Sequence, residues 1–111
     1  MEWGMEERKT VTRENIQIRE DLKEPKMYVV YVLNDDMTTF EFVVFIMISV
    51  FRKTEEDAWG IADRTHHEGK AAVGRYTYDM ARTKVSKAVA LSRENNYPLN
   101  FKIVPEDQHE K

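Results

Sequence analysis

Three places in the chain carry side chains that could do chemistry. Asn34-Asp35-Asp36 sets an amide beside two carboxylates, His66-His67 sets two imidazoles side by side, and Phe42 to Phe51 is apolar almost throughout. Carboxylates and imidazoles are the raw material of acid–base hydrolysis or of a metal site. Yet a helix would splay His66 and His67 about 100° apart, and no His-x-x-x-His spacing occurs. Gly-x-Ser-x-Gly is absent, four glycines form no phosphate loop, and there is no cysteine to act as nucleophile or zinc ligand. A chain with no catalytic residue, no metal and no cofactor is expected. What these residues do suit is capture of a protonated amine, which offers three donors and one charge. Asn34 supplies an amide oxygen, Asp36 a carboxylate and His66 a neutral imidazole nitrogen. Each feature also has a plainer role: turn residues, complements to a helix dipole, and core.

The elements that must position them are legible from patterning. Met27 to Leu33 is apolar throughout and rich in β-branched and aromatic types, so it is read as a strand buried on much of both faces. Asn34-Asp35-Asp36 breaks it, and Thr38-Thr39-Phe40-Glu41 is read as a capping box opening a helix near Thr39 that runs to about Phe51. Thr54, followed by Glu55, Glu56 and Asp57, starts a second helix with Ala58, Ile61, Ala62 and Thr65 on its inner stripe, and Gly69 ends it. Lys70 to Tyr76 reads as a short strand. Thr77 caps a third helix that Asn95-Asn96 and Pro98 stop, and Leu99 to Ile103 alternates like a strand with one wet face. The order predicted is βααβαβ.

At 111 residues, with 41% hydrophobic and 33% charged content, the chain is long enough for one core. The expected division is a flexible arm over 1–26, a core domain over 27–105 and a charged tail over 106–111. Seven acidic and six basic residues crowd the first 26 positions, too polar a stretch to offset its ordering entropy. A net charge of −3 disfavours nucleic acid as a partner, and no segment suggests a membrane span or a secretion signal. A cytoplasmic protein is expected.

The motifs carry a resemblance as well. Met27-Tyr28, Leu33-Asn34-Asp35-Asp36, Thr38, Glu41-Phe42-Val43, His66-His67-Glu68-Gly69, Val73-Gly74, Thr83-Lys84-Val85 and Arg93-Glu94-Asn95 followed by Pro98-Leu99 resemble the ClpS adaptors over about residues 25 to 104 without a gap. That resemblance implies an α+β fold, a three-stranded antiparallel sheet packed with three helices, similar to the C-terminal domain of the ribosomal stalk protein. It implies a bacterial, cytoplasmic, monomeric adaptor that binds proteins whose free first residue is Leu, Phe, Tyr or Trp. The adaptor hands them to the ClpA unfoldase for degradation by ClpP. The positions matching Asn34, Asp36 and His66 would hold the substrate's α-amino group, with Asp35 shaping the same turn. Thr38, Phe40, Val43, Ala62, Thr65 and Leu99 would line the pocket for its first side chain. Asp79 and Lys84 would dock on the ClpA N-terminal domain, and the arm would serve delivery.

The departures cluster in the pocket. Members usually carry Met at the positions matching 40 and 62, Val at 65 and Pro at 39. Phe40 replaces a flexible gate by a rigid ring, Ala62 removes volume from a wall, and Thr65 adds a hydroxyl that needs a partner. A reshaped pocket with an altered ranking of first residues is expected, and reverting Ala62→Met should shift it. Protonation of His66 would repel the ammonium, so binding should weaken as pH falls through the ordinary imidazole range near about 6.5. The competing functions are a paralogue with another ligand and a regulator that blocks other ClpA substrates. A metal-dependent hydrolase is a distant third.

Overall fold

The central strand sets the architecture. A computed structural model describes residues 25–108, so most of the arm expected over 1–26 and the last three residues of the tail lie outside the described residues. β1 (Met27–Leu33) is flanked by β2 (Lys70–Thr77) and β3 (Asn100–Pro105), in the order β2-β1-β3, and both pairings are antiparallel. Having a neighbour on each edge satisfies its backbone, and Val29 through Val32 are all buried, as an unbroken apolar run predicts. The βααβαβ order read from patterning is the order observed.

The helices are α1 (Phe40–Ser49), α2 (Glu55–Glu68) and α3 (Tyr78–Glu94). Val30 and Val32 of β1 and Ala71 and Val73 of β2 meet Ile46, Met47, Ala58, Ala81 and Ala88 of the helices in one core. β3 runs to Pro105, opposite Tyr28, two residues further than the alternation indicated, and a 3-10 turn follows at Glu106–Gln108. α1 ends at Ser49, short of Phe51, because Arg52 takes a left-handed φ of 59° and turns the chain.

Two capping assignments are corrected. Thr39 alone caps α1, its hydroxyl accepting from the Phe42 amide at 3.1 Å, while Thr38 is drawn into the preceding turn. The box read from Thr38 to Glu41 therefore does not form. Thr77 has the extended backbone of a cap, but its hydroxyl makes no capping bond to α3. Thr54 and Gly69 behave as expected: Thr54 accepts from the Asp57 amide, and Gly69 closes α2 at φ 89°, where an L side chain would be strained.

Candidate functional site

The chain leaves β1 at Leu33 and must turn at once to start α1 seven residues later. Asp35 builds that turn. One oxygen of its carboxylate accepts from the amides of Met37 at 2.8 Å and Thr38 at 2.7 Å, and the other accepts from the Thr38 hydroxyl at 2.7 Å. Burial raises the carboxyl's pKa, but the bonds from Thr38 and Met37 and the charge of Arg93 outweigh it. The net effect holds Asp35 below its ordinary value of 3.8. Asp35 is thus committed to its own loop, and Thr38, expected at the pocket, spends its hydroxyl on the same carboxylate.

With Asp35 turned inward, Asn34 and Asp36 stand exposed on either side of it. The Asn34 amide donates to the Gly69 carbonyl at 2.9 Å, tying the start of this turn to the end of α2. His66 sits exposed in the last turn of that helix, so one backbone bond brings the amide, the carboxylate and the imidazole to one end of the fold. His67 points elsewhere, its Nδ1 lying 3.0 Å from the Asp63 carbonyl and 3.2 Å from its carboxylate. The described residues contain no cluster of three or more metal-ligating His, Asp or Glu.

The apolar side of the site is built from the core itself. Val43, Ala62 and Leu99 are 6%, 2% and 1% exposed and belong to the main cluster, against which Phe40 packs half-buried. Thr65 is equally buried, and its added hydroxyl finds a partner in the Ile61 carbonyl at 2.7 Å, one turn back along α2. Leu99 reaches this wall from the far end of the chain because Arg93 gathers the loop before β3. Its guanidinium donates to the carbonyls of Tyr97 and Leu99, at 3.0 and 2.9 Å, and to the Asn100 side chain at 2.9 Å.

Two residues to which the sequence reading gave no role adjoin this site. Arg93 holds Leu99 in place and also lends its charge to Asp35, linking the two halves of the site. Arg93-Glu94-Asn95 was visible as a motif carrying the resemblance, but the partners of Arg93 were not. Trp59, 46% exposed on α2, lies against the Phe40 ring with centroids 5.0 Å apart.

The expected docking residues lie away from this end. Asp79 is exposed in the first turn of α3 and lines an open cleft of about 450 Å³ with Arg82, Thr83, Ser86 and Lys87. Lys84 is half-buried, its ammonium 3.4 Å from the Val50 carbonyl at the end of α1 and 5.8 Å from the centre of the Tyr76 ring. Among the described residues no helix is long and apolar enough to cross a membrane.

Comparison with known proteins bears on what this arrangement serves. The family model described as ATP-dependent Clp protease adaptor protein ClpS matches residues 23–102. The chain is 45% identical over 98 residues to the ATP-dependent Clp protease adapter protein ClpS of Acetivibrio thermocellus, covering 88% of this chain and 97% of that protein. It is likewise 45% identical over 91 residues to the adapter of Nautilia profundicola, covering 82% and 90%. Among solved structures, Agrobacterium tumefaciens ClpS2 bound to L-phenylalaninamide is similar with a TM-score of 0.72 and 38% identity, over 75% of this chain and all of that one.

Proposed function

The chain belongs to the ClpS family of Clp protease adaptors, which are not themselves enzymes, and from that membership we propose that it captures proteins by a free, bulky apolar first residue and presents them to the ClpA unfoldase. The observation that supports this reading is the backbone bond from Asn34 to Gly69, which ties the turn carrying Asn34 and Asp36 to the end of the helix carrying His66. L-phenylalaninamide, the molecule on the Agrobacterium relative, has the two groups such a site needs, a free α-amine and a benzyl side chain.

In this mechanism Asn34 and Asp36 accept hydrogen bonds from two of the ammonium's N–H groups and the unprotonated ring nitrogen of His66 accepts one from the third, while Asp35 keeps the turn in shape. The side chain enters between Phe40, Val43, Ala62, Thr65 and Leu99. Burying a Leu- or Phe-sized group contributes roughly 1.5 to 3 kcal/mol. A blocked amine has lost its charge and two of its donors, so it leaves acceptors unpaired and binds worse by more than the pocket returns. Asp79 and Lys84 serve the unfoldase contact on the α3 side, at a distance from the peptide, which lets one chain hold both partners. The setting is the bacterial cytoplasm.

Fluorescence anisotropy of a short peptide starting with Phe, beside the same peptide acetylated at its α-amine, tests the reading. Micromolar or tighter binding that acetylation abolishes is the expected result. Equal binding of the two peptides, or none to Phe, Leu, Tyr or Trp, overturns it.

A further inference from the structure

Trp59 has no obvious structural reason to be where it is. Nearly half its surface faces solvent, and it lies outside the core cluster. Its position on α2 is nonetheless specific: Trp59, Ala62 and His66 recur at i, i+3 and i+7, so one face of the helix carries the indole, a pocket wall and the amine-site imidazole in sequence. At the indole end of that face stands Phe40, the first residue of α1, with its ring tilted 41° to the indole. The other side of Phe40 packs on the core. A phenylalanine at a helix start has more than one open rotamer, and a ring trapped between core and indole keeps only one.

We propose that Trp59 is a specificity-positioning residue: it pins the Phe40 ring and so fixes the shape of the first-residue pocket. A pinned ring is a rigid wall, and a rigid wall discriminates among side chains that an adaptable one accepts alike. This inference rests on the function proposed above. It places the origin of selectivity outside the pocket, on a residue that need not touch the bound side chain.

Peptides identical except for a first residue of Leu, Phe, Tyr or Trp are titrated against the full chain and its Trp59→Ala and Trp59→Phe variants. In Trp59→Ala the ratio of weakest to tightest Kd shrinks by about fivefold, the worth of one aromatic pair, while Trp59→Phe keeps the parent ratio within about twofold. A role in stability alone would weaken all four peptides together and leave the ratio unchanged. A ratio in Trp59→Ala within about twofold of the parent overturns the inference and leaves the adaptor reading standing. Failure of the parent chain to bind any of the four overturns both.

Discussion

The two halves of the candidate site are built on opposite plans. The amine-facing half is a short turn, Asn34 to Thr38, held by hydrogen bonds among its own residues, with His66 added from the end of α2, and Asn34, Asp36 and His66 are all exposed. The apolar half is drawn from three separate stretches of chain, and Val43, Ala62, Thr65 and Leu99 in it are almost fully buried. An exposed side chain of the first half, such as His66, can change with little effect on the fold. A residue of the second cannot, because the surface that reads the ligand is also what holds the protein together. Evolution of specificity in such a site is cheapest at the pocket's edge, where Phe40 and Trp59 are partly exposed.

Substitutions on either side sharpen this contrast. The largest effect is expected for Leu99→Ala, which empties a site 1% exposed and should cost about 2 to 5 kcal/mol in urea unfolding. A cost under about 1 kcal/mol would mean the pocket wall is not core after all. Asp35→Ala comes next. It removes the acceptor for three bonds in a partly exposed turn, for a loss of about 1 to 2 kcal/mol. The carboxyl's pKa is lowered in the fold, so its contribution is present above the ordinary value of 3.8 and disappears as pH falls further, through the depressed folded value. The stability of Asp35→Ala should accordingly approach that of the parent in acid titrations taken below that point. The smallest effect on the fold belongs to His66→Ala, within about 0.5 kcal/mol of the parent because the side chain is exposed. Binding of a Phe-initial peptide should nevertheless fall more than about tenfold. If His66→Ala unfolded as readily as Leu99→Ala, the division between the two halves would collapse.

The same division explains what was legible in the sequence. Strand and helix order followed from unbroken apolar runs, acidic first turns and Gly69, all of which are local signals. The Asn-Asp-Asp turn was visible for the same reason. Thr38 and Thr39 were not separable by pattern, since either could cap α1, and only Asp35's demand for a hydroxyl decides which one does. Thr65's partner was within reach of the sequence, because a buried helical threonine regularly returns its hydroxyl to the carbonyl four residues back. Trp59 and Arg93 were not, for their partners lie on other elements and no spacing along α2 or α3 points to them. Lys84 shows the converse: its ammonium rests near the Val50 carbonyl and the Tyr76 ring, so exchanging it disturbs the end of α1 as well as any docking surface. Asp79 is the cleaner place to probe that contact.

The sheet's second face has a consequence for solubility. Val29 pairs with Arg75 and with Val104, and Tyr31 pairs with Lys102, so these residues share the side opposite the helices. Among the described residues no α-helix packs over Val29 or Tyr31 there, yet they are 7% and 6% exposed. Long charged side chains roof them: Arg75 reaches across the central strand to Glu106 through two hydrogen bonds, and the Lys70 ammonium sits 5.0 Å from the Tyr31 ring centre. The thatch is made of methylene stems with charged tips, so it sheds water from below and attracts it from above. A sticky β-surface is thereby given a charged, hydrated outer layer, which disfavours pairing of this face with a second copy of the chain.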